Sequence, residues 1–229
     1  MKKSNKILII IIIIMIVACA ALLLNNVKNQ YNVSELGSNE NGTVYKIIAG
    51  NPSSKDTVCL ILGVHSREHE IHQAINETIA EISSPGGSND LNKRYVVYYI
   101  KLNENIKSKA DTRPAGEHLA NQFIVPDIKN ENPFIAVDIH EIDKDFEYAN
   151  FIYPVSNNSK TNDYSKGISD SLNISIYEFK EGTSPQLVTE PIASQDINTI
   201  IFETSIINSV EKKKDIAKEL IYALDKLNP

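Results

Sequence analysis

The stretch Thr57–Ile82, "TVCLILGVHSREHEIHQAINETIAEI", changes its hydrophobic period midway, and that change decides the fold class. "TVCLILGV" (57–64) is a short, near-continuous apolar run rich in branched side chains, the pattern of a strand covered on both faces. From Glu70 onward, Ile71, Ala74, Ile75, Ile79 and Ile82 fall on one helical stripe, and "SPGGSND" (84–90) ends it. Around the junction of strand and helix lie three of the chain's five histidines, together with Arg67, Glu68 and Glu70.

Working outward, "TVYKIIAG" (43–50) reads as a strand and "NPSSKD" (51–56) as a turn. Further strands are expected at "RYVVYYIKL" (94–102), "PFIAVDIHE" (133–141), "FEYANFIYPV" (146–155), "ISIYEF" (174–179) and "INTIIFETS" (197–205). Helices are expected over 163–172 and 210–227, and residues 103–132 read as irregular and polar. Buried strands alternating with helices predict an α/β domain over residues 44–229, with a mixed, largely parallel central sheet flanked by helices. Sites in such sheets form beyond the carboxyl ends of strands. His65, Glu68, His140 and Glu203 all lie at or just past such ends.

The N-terminus has a different composition. Lys2, Lys3 and Lys6 precede an uncharged apolar run from Ile7 to Leu24. Residues 1–24 therefore read as a membrane anchor with the remainder outside, or as a signal peptide cleaved near Ala18-Cys19-Ala20. The expected location is the cell membrane with the domain facing outward, or the exterior if the segment is cleaved. Residues 25–43 are polar and read as a tether. Without the three lysines of residues 1–24 the net charge falls from −6 to −9, which argues against nucleic acid as a partner. Two cysteines make no disulfide framework, and Cys59 reads as a buried small hydrophobe. No Gly-x-Ser-x-Gly elbow or glycine-rich phosphate loop is present.

The chemistry-bearing residues have a pattern suited to zinc. Catalytic zinc commonly takes three protein ligands from histidines and carboxylates and activates water. His65 and Glu68, spaced H-x-x-E after a strand, can turn towards one ion, and His140 in "VDIHE" is the candidate third ligand. Asp138 or Glu141 could orient His140. Glu203, in "IIFETS", is the candidate general base. A second pattern overlaps the first: "HSREH" also fits H-x-x-E-H, with His65 and His69 as ligands and Glu68 as base, but that needs both histidines on one helix face. His69, His72 and His118 otherwise read as surface or pocket-rim residues.

"GVHSREHEI" resembles the metal motif of the zinc carboxypeptidase superfamily, matching Gly-[Ile/Val]-His-Ser-Arg-Glu at all six positions. "AVDIHE" is similar to that superfamily's third-ligand strand and "NTIIFETS" to its catalytic-glutamate strand, with "GTSPQLVTEPIA" like the segment before that glutamate. The resemblance implies one Zn²⁺ held by His65, Glu68 and His140, with Glu203 as catalytic base. It also implies an Arg followed by an Asn-Arg pair. Arg113 and Asn121 are the candidates, with Arg113 polarising the scissile carbonyl and Arg67, Arg113 and Asn121 contacting substrate. Gln122 stands where the second Arg would be, and a glutamine cannot form a bidentate carboxylate clamp. The short spacings are nearer the succinylglutamate desuccinylase/aspartoacylase branch, whereas His-Ser-Arg-Glu is the peptidase form. The implied activity is metal-dependent hydrolysis of a peptide or N-acyl amino acid. A surface binding module of the same fold that has lost turnover is the other reading.

Overall fold

The computed structural model describes residues 12–16, 30–108, 111–177 and 186–229. In chain order the main elements are β1 (Gln30–Asn39), β2 (Gly42–Gly50), β3 (Thr57–Leu62), α1 (His69–Ser83), β4 (Arg94–Leu102) and α2 (Arg113–Leu119). They continue with β5 (Ile135–Ile142), β6 (Asn150–Pro154), α3 (Ser159–Leu172), β7 (Ser175–Ile176), β8 (Thr199–Ser205) and α4 (Val210–Lys226). The eight strands form one sheet in the order β1-β2-β4-β3-β5-β8-β6-β7. Its centre, β4-β3-β5-β8, is parallel, while β2–β4 and β6–β8 pair antiparallel. This is the mixed, largely parallel α/β sheet expected from the alternating pattern.

Both faces of the sheet are covered, as the near-continuous apolar strands require. On one face Val58, Leu60, Leu62, Val137, Ile139 and Phe202 pack against Ile71, Ile75 and Ile79 of α1 and Ile216, Leu220 and Leu224 of α4. On the other, Cys59, Ile61, Val96, Tyr98 and Ala136 pack against Leu119, Ala120, Ile124 and Ile128. The chain thus leaves β3 towards one face and reaches β5 from the other. The crevice between the carboxyl ends of β3 and β5 is the topological switch point, where ligands of open α/β sheets bind.

Two segments differ from expectation. The tether read over 25–43 contains β1, an edge strand paired antiparallel with β2 from Gln30↔Gly50 to Asn39↔Gly42. Its sequence, "QYNVSELGSN", lacks apolar alternation because main-chain pairing, and not a buried face, holds it. Residues 103–132, read as irregular, are largely helical: Glu104–Lys107, α2, a π turn over Ala120–Ile124, then Val125–Asp127 and Ile128–Glu131. The stripe Gly116, Leu119, Ala120, Ile124 and Ile128 is buried, but Pro114, Pro126 and many polar residues mask it. In the π turn Val125 N–H donates to Ala120 O, an i→i−5 bond that widens the helix just ahead of Pro126, which has no N–H to give.

Of the apolar N-terminal run, residues 12–16 are helical and the rest lies outside the described residues, as do parts of "ISIYEF" and "GTSPQLVTEPIA". Among the described residues no helix is long and apolar enough to cross a membrane.

Two positions tie this architecture to the site. Gly63 ends β3 at φ +84°, and a Cβ there would lie 2.3 Å from the Ile100 carbonyl oxygen. Gly63→Ala is therefore expected to cost about 2 kcal/mol or more, read as a lower urea midpoint at unchanged slope. His72, read as a surface or pocket-rim residue, is buried on α1, where its Nε2 donates to Ile139 O at 2.7 Å. Burial pushes its pKa down from 6.5 to about 4. Above pH 6.5 both folded and unfolded chains carry it neutral, and as pH falls towards 4 only the unfolded chain gains the proton. The folded state consequently loses about 3 kcal/mol over that window. Urea unfolding at pH 7 and pH 4 should show wild type losing about 3 kcal/mol more than His72→Gln; equal losses would contradict it.

Candidate metal centre

His65 follows the Gly63 turn and caps a single 3₁₀ turn, Ser66–Glu68, closed by Glu68 N–H donating to His65 O at 3.1 Å. Side chains three residues apart eclipse in 3₁₀ geometry, so H-x-x-E spacing brings the Glu68 carboxylate back over the His65 ring. Its Oε1 lies 2.9 Å from His65 Nδ1. Oε2 lies 2.8 Å from His140 Nδ1 and accepts from Glu141 N–H at 3.2 Å. Alternation along β5 puts Ile139 in the α1 layer and His140 on the opposite face. The two imidazole centroids are 4.7 Å apart.

Each imidazole turns Nδ1 inward and rests its outer nitrogen on a carboxylate. His140 Nε2 is 3.1 Å from Asp138 Oδ1, and His65 Nε2 is 3.3 Å from Glu117 Oε1. Donor atoms of His65, Glu68 and His140 lie within 4.8 Å of one another, and all three residues are buried. Two imidazole nitrogens and a carboxylate oxygen are the donor set that a catalytic zinc ion commonly takes, so His65, Glu68 and His140 would fit such an ion. Outer carboxylates of this kind keep Nε2 protonated and free the Nδ1 lone pair for an ion.

The charges are coupled. Burial works against the His140 imidazolium, but the Asp138 and Glu68 carboxylates outweigh it and hold its pKa well above the ordinary value. Burial works against ionised Glu68 too, and the two histidines overcome it, driving its pKa far below the usual carboxylate range. Glu203 sits directly across from His140 in the β5–β8 register. It is buried, and its Oε2 has no hydrogen-bond partner. Burial chiefly, with Glu68 and Asp138 adding to it, pushes Glu203 up to about 8, against the opposing pull of His140 and Arg113.

A cavity of about 190 Å³ opens over this group. His65 and Glu68 line it, with Arg67, Asp111, Thr112, Arg113, Glu141, Asp143 and Ile206 around them. Ser66 Oγ and Thr112 Oγ1, 2.7 Å apart, tie the ligand turn to the start of α2. Gly116 lets α2 approach, since a Cβ there would be 1.9 Å from Val64 O.

The structure therefore brings His65, Glu68, His140 and Glu203 to one end of the sheet and puts Arg67 and Arg113 at the cleft. Asn121 is not brought there: it is exposed and donates to Leu187 O at 2.8 Å, while Gln122 accepts from Asn39. His69 is exposed, so His65 and His69 do not form the inverted H-x-x-E-H pair. Of the two candidates for orienting His140, Asp138 contacts it, and the Glu141 carboxylate is engaged by Ile71 N–H and Lys213 instead. Sequence reasoning missed Glu117. The one signal for it was the helical stripe beside it, centred on Gly116.

No protein-family model matches the sequence, and a comparison with curated proteins returns no match. Among solved structures the chain is similar to a metallo-carboxypeptidase from Burkholderia cenocepacia (TM-score 0.62, 15% identity, 90% of this chain and 67% of that one). It is also similar to a succinylglutamate desuccinylase/aspartoacylase from Rhodobacter sphaeroides (TM-score 0.52, 15% identity, 86% and 64%). A third likeness is to the LapA aminopeptidase of Legionella pneumophila (TM-score 0.57, 9% identity, 90% and 62%). The chain spans about two thirds of the length of these structures. The chain thus shares the α/β fold of these metallo-carboxypeptidase, desuccinylase/aspartoacylase and aminopeptidase structures.

Asp138→Ala should leave the fold intact by circular dichroism and weaken zinc binding about 10–100-fold in competition with a chromophoric chelator. Unchanged affinity would remove Asp138 from the centre.

Proposed function

We propose that this protein is a zinc-dependent hydrolase of a peptide or N-acyl amide bond. The observation that carries the reading is the convergence of His65, Glu68 and His140, from the ends of two separate strands, on one buried point beside Glu203. A zinc ion there supplies Lewis acidity, acidifying water and polarising a carbonyl. The chain's own residues supply the rest. His65, Glu68 and His140 would hold the ion, and Asp138 and Glu117 fix the two rings.

Glu203 takes the proton of the attacking water and delivers it to the leaving nitrogen. Its raised pKa and unpartnered oxygen suit a group that gains and loses a proton during turnover. Arg113, at the cleft and close enough to act on Glu203, contributes positive charge where oxyanion character develops. Arg67, which also lines the cavity, is a further substrate contact. Asn121 donates to Leu187 O and does not line the cleft, and Gln122 is directed to Asn39, so this pair offers no support for the usual Asn-Arg carboxylate contact. Recognition of the substrate therefore rests on Arg67 and Arg113. The lysine-flanked apolar run of residues 7–24 supports an outward-facing domain, anchored to the membrane or secreted after cleavage.

Screening N-acyl amino acids and short peptides should find hydrolysis that stops on chelation and returns with zinc. Glu203→Gln should lower kcat by about 10²–10⁴-fold while binding zinc as wild type does. Chelator-insensitive turnover, or full activity in Glu203→Gln, would sink the proposal.

A further inference from the structure

Lys213 has no exposed surface, although it lies on the first turns of α4. A cation near a helix N-terminus opposes the helix dipole, and a buried one must be fully paired. Its Nζ donates to Glu141 Oε1 at 2.8 Å, Glu70 Oε2 at 2.5 Å and Ile206 O at 3.0 Å, which uses all three N–H groups. These acceptors belong to the three segments that carry the site. Glu70 stands two residues after Glu68, Glu141 directly follows His140, and Ile206 stands three residues after Glu203.

The clamp also reaches the ligands through the backbone. Glu141 N–H donates to Glu68 Oε2, and Glu141 Oε1 accepts from Ile71 N–H at 3.0 Å. Ile206 N–H donates to Ile142 O at 2.9 Å and so joins the ends of β8 and β5. One ammonium thereby sets the relative positions of the Glu68 turn, the His140 strand and the Glu203 strand.

Resting on the zinc reading above, we propose that Lys213 is a positioning residue for the metal centre. It holds the Glu68 and His140 segments at the separation an ion requires and neutralises Glu141, a further carboxylate at the cleft wall. Another charged clamp provides a control. Lys46 on β2 pairs with Asp127 and Glu131, none of which lines the cleft.

The test uses the full chain as wild type, Lys213→Met, Lys213→Met/Glu141→Gln and Lys46→Met. The double variant removes the carboxylate that Lys213→Met would leave buried without its cation. Three quantities are read: thermal midpoint, zinc affinity by chelator competition, and the visible spectrum of the cobalt(II)-loaded protein. The double variant should fold, bind zinc about 10–100-fold more weakly and show a shifted cobalt spectrum. Lys46→Met should lose stability and keep wild-type affinity and spectrum. Wild-type affinity and spectrum in the double variant, or in a folded Lys213→Met, would overturn the inference alone. A wild type that binds no zinc would overturn the metal reading and this inference together.

Discussion

The Glu68 carboxylate between two imidazoles is the contact on which the rest of the molecule depends. One oxygen meets His65 Nδ1 and the other His140 Nδ1, so a single side chain joins the turn after β3 to the end of β5. Such a junction is unfavourable unless every charge is answered, because buried ions lose hydration that only close partners replace. The surroundings answer it with Asp138, Glu117 and the Glu141 amide. The Gly63 turn and the β3/β5 switch point are what make the approach possible.

The same arrangement explains why Glu203 differs from its neighbours. The two imidazoles beside Glu68 hold its pKa down against burial, whereas burial raises that of Glu203, whose Oε2 has no hydrogen bond. Two glutamates with β5 between their strands are thus driven in opposite directions by environment alone. That separation is what the proposed roles of ligand and base call for.

Much of this was legible in the sequence because it rests on local pattern. The change of period at Thr57–Ile82 predicts β3, the turn and α1, and the strand-end positions of His65, Glu68, His140 and Glu203 follow from the alternation of elements. What escaped depends on partners far away in the chain. β1 is a strand because β2 pairs with it, so composition alone read it as a tether. The helical run after β4 hid behind prolines and polar residues, and with it Glu117, 52 residues from His65. His72 read as a surface or pocket-rim residue, yet its ring fits the α1–β5 interface because one carbonyl accepts its proton. Lys213 carries no local sign of its role, since its three acceptors come from α1, β5 and the loop after β8.

The most direct test of the central claim is X-ray absorption at the zinc edge of protein loaded with one equivalent of zinc. A shell of nitrogen and oxygen at about 2.0–2.1 Å, with the multiple-scattering signature of two imidazoles and no sulfur, is the predicted result. A zinc–sulfur shell at about 2.3 Å, or a spectrum with fewer than two imidazoles, would contradict a centre built on His65, Glu68 and His140.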